Sequence, residues 1–134
     1  MQPTHYRRLV QASAWYDLVV TAGFATPWTF AWVHAALQAA AQGLPGSFPA
    51  FEPAHVLLAN LLGSIVTVWA VLRIRDPQQQ FGRYDATGRF LFAAWQVHAV
   101  VHGASVIILG FTVAEIAFGI AQSWRIAGSR PQPA

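Results

Sequence analysis

Long apolar segments that end at arginines constrain this chain more than any other feature of its sequence. The clearest is AHVLLANLLGSIVTVWAVL, residues 54–72, which contains no Asp, Glu, Lys or Arg and is followed directly by Arg73. A helix of about 20 such residues crosses roughly 30 Å of hydrocarbon. Only 10 % of the 134 residues are charged, whereas soluble domains carry about 25 %. The chain is therefore predicted to be an integral membrane protein.

Four segments are predicted to span the bilayer, and they are residues 9–26, 54–72, 86–103 and 104–124. Residues 28–42, after Pro27, are predicted to form a short helix in the outer interface, because Trp28 and Trp32 are typical interfacial anchors. The fold class predicted is an all-α membrane protein, a four-transmembrane-helix bundle with a short interfacial helix after span one.

Glycine, proline and charged residues indicate where the segments between the predicted helices lie. Residues 43–53 are rich in Gly and Pro and are predicted to be a loop, as are the polar residues 73–85. Asp85 is predicted to be the N-cap of the third span. The whole bundle is predicted to be one domain, residues 1–128, with a disordered tail over residues 129–134.

The arginines predict the orientation. All eight basic residues are Arg, and they lie at the ends of apolar segments: Arg7, Arg8, Arg73, Arg75, Arg83, Arg89, Arg125 and Arg130. The positive-inside rule then places both termini and the loop at 73–85 in the cytoplasm of a bacterial cell, with the chain in the inner membrane. No basic stripe or nucleic-acid motif is present, so nucleic acid is not an expected partner.

Three predicted spans contain ionisable residues, which cost at least roughly 2.5–3.5 kcal/mol at the centre of a membrane helix. Asp17 lies nine residues beyond Arg8, His98 nine beyond Arg89, and Glu115 ten before Arg125. At about 1.5 Å per residue these positions share one depth, roughly 13–15 Å from the cytoplasmic side. Ser64 reaches the same depth when counted from Arg73, with Asn60 one turn further out. The spacing predicts one polar layer in the bundle core.

This polar layer has two interpretations. It either binds a ligand or exchanges protons, or it only fixes the packing of the helices through hydrogen bonds. His98 and His102, spaced i and i+4, are also a candidate pair of metal ligands because both rings project from one helix face. A further candidate cation site combines His34, Glu52 and His55 on the outer side, where they are otherwise ordinary exposed residues.

The layout resembles the DoxX-like group of small bacterial membrane proteins. The segments that carry the resemblance are YDLVVTAGFATPW, residues 16–28, and RYDATGRFLFAAW, residues 83–95. The resemblance covers the whole chain as architecture, and it implies four spans with a Pro- and Gly-interrupted outer loop. It implies no particular activity.

The chain contains no nucleophile elbow, phosphate loop, zinc-protease motif or cysteine. This favours a non-enzymatic protein that binds an apolar ligand or a partner membrane protein. Two alternatives stay open: a small oligomeric proton-coupled transporter, and a quinone-, metal- or haem-binding membrane subunit of an oxidoreductase. The cofactor is unknown. The expected partners are the lipid bilayer and either further copies of the chain or a larger membrane complex.

Overall fold

The computed structural model describes residues 1–126, and over these residues the chain is helical and has no strand. The five α-helices, with a 3₁₀ turn at Ala22–Ala25 after the first, are α1 (Pro3–Thr21), α2 (Pro27–Ala40), α3 (Pro53–Arg75), α4 (Gln79–Val101) and α5 (Ile108–Ser123). An isolated bridge joins Ser47, in the α2–α3 loop, to Ala104, in the α4–α5 turn. The predicted tail at 129–134 lies outside the described residues.

Proline begins three of the five helices. Pro3, Pro27 and Pro53 each occupy the first turn, where the missing N–H would have no helical partner in any case. Side chains cap two of these starts: Thr26 Oγ1 accepts from the backbone N–H of Thr29, and Glu52 and His55 form a reciprocal capping box. Helix α2 therefore begins almost where the interfacial helix was predicted.

The prediction of a long polar loop at 73–85 is wrong. Helix α3 continues to Arg75 and α4 already begins at Gln79, so that only residues 76–78 connect them. Asp85 is consequently not an N-cap but a buried residue inside α4, and Gln78 precedes the helix instead. The segment looks like a loop in the sequence because its polar side chains include Arg73 and Asp85, which face the interior rather than water.

The helices pack as two pairs. Helix α1 packs mainly against α3, α4 packs mainly against α5, and α1 also touches α4 and α5. Glycines allow two of the close approaches. A Cβ on Gly63 would lie 2.4 Å from the backbone carbon of Phe24, and a Cβ on Gly82 would lie 2.6 Å from the hydroxyl of Tyr6. These two glycines let α3 pack closely against the 3₁₀ turn and α4 pack closely against α1.

The exposed face of α3 is apolar. Helix α3 is long and apolar enough to cross a membrane, and α5 is apolar but shorter. Large apolar side chains on the outer face of α3 are exposed, and they include Leu57, Leu58, Leu61, Leu62, Ile65 and Val68. Helix α3 therefore has the length and the surface of a membrane-spanning helix.

Candidate functional site

Five ionisable side chains from four helices meet in the interior. They are Asp17 on α1, Arg73 on α3, Asp85 and Arg89 on α4, and Glu115 on α5. All five residues are buried, and the two arginines are 0 % and 2 % exposed. We call these five residues the ion cluster.

Arg89 lies at the centre of the ion cluster. Its three guanidinium nitrogens each donate to a different carboxylate: Nη2 to Asp17 at 2.7 Å, Nε to Asp85 at 2.9 Å, and Nη1 to Glu115 at 2.7 Å. Nη2 also donates to the carbonyl oxygen of Ser13 at 3.3 Å. The planar guanidinium suits this role because its donors point in several fixed directions at once. One side chain thus ties α4 to α1 and α5.

Arg73 brings the third neighbouring helix into the cluster. It forms ion pairs with Asp17 and, at 2.6 Å, with Asp85, and its Nη1 donates to the hydroxyl of Ser13 at 3.2 Å. Its Nε has no hydrogen-bond partner among residues 1–126. Asp17 and Asp85 each form ion pairs with both arginines, so charges of opposite sign alternate through the cluster.

Uncharged donors complete the surroundings of Asp85. The Gln122 amide donates to Asp85 at 2.9 Å and to Ser13 at 2.7 Å, and the Trp69 indole N–H donates to Asp85 at 2.9 Å. The Tyr6 hydroxyl in turn donates to the backbone carbonyl oxygen of Gln122 at 2.7 Å. The network therefore extends from the ion cluster to the ends of α1 and α5.

The ion cluster has more carboxylates than guanidinium groups. Two arginines face three acidic residues, which leaves a formal charge of −1 when every group is ionised. Among residues 1–126, neither the second carboxylate oxygen of Asp17 nor that of Glu115 accepts a hydrogen bond. The cluster thus has spare acceptors as well as spare negative charge.

A cleft of about 160 Å³ opens between α3 and α4 beside the ion cluster. Its polar lining comes from Asp17, Asp85, Arg89 and Glu115. The rest of its lining consists of apolar and aromatic side chains with one glycine: Ile65, Val66, Trp69, Tyr84, Gly88 and Phe92. An apolar space and a set of hydrogen-bond acceptors therefore share one site.

The predicted polar layer needs correction. The structure brings Asp17 and Glu115 together through Arg89, but Ser64 and His98 are exposed and Asn60 donates to the carbonyl oxygen of Phe24 at 2.8 Å. The predicted depths of Ser64 and His98 hold only if Arg73 and Arg89 mark the membrane surface. Because both arginines belong to the cluster itself, residues nine positions away along the helix lie about 13 Å beyond it.

His98, near the end of α4, and His102, just after it, lie outside the ion cluster. The rings of His98 and His102 stack with their centroids 4.1 Å apart, and Nδ1 of His102 lies 2.8 Å from the His98 carbonyl oxygen. No group of three or more His, Cys, Asp or Glu side chains among residues 1–126 is arranged to hold a metal ion. Metal binding by the histidine pair stays a prediction.

The outer candidate cation site is used for packing and capping. Phe51 lies between His34 and His55, with ring centroids 4.8 Å and 6.0 Å away, while Glu52 caps α3. Nε2 of His34 lies 3.0 Å from the Pro49 carbonyl oxygen. These contacts hold the α2–α3 loop against the helices.

Sequence reasoning missed Arg73, Asp85 and Arg89 as site residues. The signal that was available is the i, i+4 spacing of Asp85 and Arg89, which places opposite charges on one helix face. A second signal is the need of the buried Asp17 and Glu115 for cationic partners, since an unpaired carboxylate is not tolerated in an apolar interior.

Comparison of the chain with models of known protein families, with curated proteins and with solved structures gives no match.

Proposed function

We propose that the chain is a non-enzymatic integral membrane protein that binds an apolar ligand in the cleft between α3 and α4. The observation that carries the proposal is the lining of the cleft, where apolar side chains and the spare acceptors of the ion cluster meet in one space. Ligand sites in proteins commonly combine a mostly apolar wall with a few convergent polar groups. Asp17, Asp85 and Glu115 are the polar determinants under this proposal.

The same proposal gives the chain four spans with the DoxX-like layout: α1, α3, α4 and α5 cross a bacterial inner membrane, and α2 lies in the outer interface. Of the charged residues on α1 and α4, Asp17, Asp85 and Arg89 are paired inside the bundle, while Arg7, Arg8 and Arg83 are exposed in the first two turns of their helices. Helices of 19 and 23 residues extend about 28 Å and 34 Å, and the 16 residues of α5 about 24 Å. These lengths suit a bilayer of ordinary or slightly reduced thickness.

The outward side chains of α1 and α4 support a lipid-facing position. Trp15 and Val19 on α1, and Leu91, Trp95 and Val101 on α4, are all exposed. In water, such a surface would form apolar patches larger than monomeric soluble proteins normally carry. In a bilayer the same side chains face acyl chains.

The size of the cleft suits one ring. Its volume of about 160 Å³ is close to that of an apolar cavity of about 150 Å³ that holds a benzene molecule in another protein. A ligand with a ring-sized apolar part would contact Trp69, Tyr84 and Phe92, while a longer tail would extend into lipid.

Filling the cleft with a protein side chain tests this proposal. A Cβ on Gly88 would meet no atom within 4 Å, so the side chain of Gly88→Leu starts in open space beside the cleft. Gly110→Leu is the matched control, because Gly110 on α5 also has open space around its Cβ and does not line the cleft. Native mass spectrometry of protein released from mild detergent should show a retained ligand mass on the wild type and on Gly110→Leu, and none on Gly88→Leu. An equal retained mass on both variants, or bare wild-type protein in repeated preparations, would refute the cleft as a binding site.

Proton-coupled transport is a second candidate, because the excess of carboxylates lets the ion cluster accept one proton. Glu115→Gln removes that capacity and should abolish proton-linked flux in proteoliposomes, while Asp76→Asn, in the α3–α4 turn outside the cluster, should leave it intact. Normal flux in Glu115→Gln would exclude this candidate.

A further inference from the structure

The charge of the ion cluster determines which ligands the cleft can accept. The cluster is formally −1, and Glu115, whose side chain is nine-tenths buried, has a carboxylate oxygen without a hydrogen-bond partner among residues 1–126. Glu115 also lines the cleft. A carboxylate oxygen that faces the cleft without a cationic partner favours a ligand that brings a positive charge to it.

An anionic ligand does not fit this site. Of the two arginines only Arg89 lines the cleft, and all three of its guanidinium nitrogens already donate to carboxylates. Arg73 has an unpaired Nε, but it does not line the cleft. A carboxylate or phosphate would therefore meet three acidic side chains and a single cation that is already paired with all three.

A protonated amine fits. It supplies the missing charge and up to three N–H donors for the unpaired oxygens of Asp17 and Glu115. The aromatic lining, Trp69, Tyr84 and Phe92, offers ring faces and edges to an apolar body and favourable contacts to a nearby cation. The volume limits the body beside the amine to about one ring.

We infer that the cleft between α3 and α4 binds a primary amine carried on a ring-sized apolar body, with its ammonium group between Asp17 and Glu115. This inference rests on the proposed function, because it requires the cleft to be a ligand site, and it adds the chemical class of the ligand.

Two molecules of nearly equal size, 2-phenylethylamine and 2-phenylethanol, test the inference. Binding of both molecules is measured by equilibrium dialysis of the protein in dodecyl maltoside against empty micelles, so that their partition into the detergent cancels. The pH is chosen so that the amine is charged. A charge-assisted hydrogen bond is about twice as strong as a neutral one, so the amine should bind about tenfold more tightly or better. Equal binding of both molecules, with both blocked by Gly88→Leu, would overturn the amine inference and leave the cleft as an apolar-ligand site.

Glu115→Gln tests whether the charge excess causes the preference. The amide introduced by this substitution keeps an oxygen that accepts from Arg89, while the formal charge of the cluster becomes zero. The variant should therefore lose about a factor of ten in amine affinity and bind the alcohol as before. Asp76→Asn is the control, because it changes the net charge of the chain equally at a residue that does not line the cleft. Full amine preference in Glu115→Gln, or no binding of either probe by the wild type, would overturn the inference.

The amine could come from a small molecule or from the headgroup of phosphatidylethanolamine. Adding this lipid to the micelles should leave 2-phenylethylamine binding unchanged if the ligand is a small amine, because the lipid phosphate would be held close to the carboxylates. Competition by phosphatidylethanolamine, and not by phosphatidylcholine, would support the amine chemistry, assign the lipid as its source and overturn the ring-sized apolar body.

Discussion

Arg89 contacts all three carboxylates of the ion cluster through different nitrogens, and this makes it the residue on which the interior depends most. A buried charge network is stable only while each member keeps its partners, because the ion pairs offset the free-energy cost of removing every charged group from water. Loss of one arginine leaves three carboxylates with a single cation.

At the residue scale, Arg89→Met should therefore destabilise the protein by about 3–5 kcal/mol. Arg83→Met is the matched control, since Arg83 lies on the same helix but is exposed, and it should change stability by less than about 0.5 kcal/mol. The free energy of unfolding is measured by titrating the protein in mixed micelles with dodecyl sulfate. Similar stability of the two variants would show that the ion cluster does not hold the bundle together.

Tyr6 offers a finer test of the same network. Its buried hydroxyl donates to the backbone carbonyl oxygen of Gln122, so Tyr6→Phe removes one hydrogen bond and leaves the ring in place. The expected loss is about 1 kcal/mol. Tyr84→Phe, which removes an exposed hydroxyl on α4, should cost less, and a reversed order in the unfolding titration would contradict the assigned role of Tyr6.

At the scale of elements, close helix contacts depend on residues without side chains. Gly63 lets α3 lie against the 3₁₀ turn after α1, where Asn60 also donates to the Phe24 carbonyl oxygen. Contact at this distance involves backbone atoms, which cannot rotate away as a side chain can. The register between α3 and the turn is therefore set by one glycine and one amide.

Gly63→Ala should consequently destabilise the protein by about 1–3 kcal/mol, because its Cβ would overlap the backbone of Phe24 and Ala25. Gly110→Ala has open space and exchanges a flexible residue for a good helix former, so it should be neutral or stabilise the protein by up to about 1 kcal/mol. The melting temperatures of the two variants in detergent, compared with the wild type, give the answer. An unchanged melting temperature in Gly63→Ala would mean that the helices can separate at little cost.

The bounds of α2 and α4 show which helix starts can be predicted from the sequence and which cannot. Helix α2 lies where Trp28 and Trp32 predict it, and the proline-initiated starts are local signals that need no tertiary information. The predicted start of α4 is about seven residues too late, because polar residues that face a partner helix have the same composition as a loop. Burial of a polar face becomes visible only when the facing helix is known.

At the scale of the whole molecule, the four-span proposal predicts a defined sidedness. The chain contains no cysteine, so single cysteines can be introduced without background labelling. Ala50→Cys in the α2–α3 loop should react with a membrane-impermeant maleimide in intact cells, and Gln78→Cys in the α3–α4 turn should react only after permeabilisation. The opposite pattern would invert the orientation, and labelling of both sites in intact cells would contradict the four-span arrangement.

Local features of the chain could be inferred from its residues alone. Apolar segments predict helices, Pro3, Pro27 and Pro53 mark where three of them start, and Asp17 and Glu115 lie in segments that must satisfy them internally. These conclusions depend on composition and spacing within one segment, which is the information that hydropathy and capping rules use.

The partners of those carboxylates, by contrast, became known only from the packing of the helices. Asp17 is paired with Arg73 and Arg89, which lie 56 and 72 residues further along the chain. An arginine at the end of an apolar segment has the same local sequence whether its guanidinium extends to the membrane surface or turns inward to a carboxylate. The choice depends on the positions of the other helices, and the same positions create the cleft beside the ion cluster.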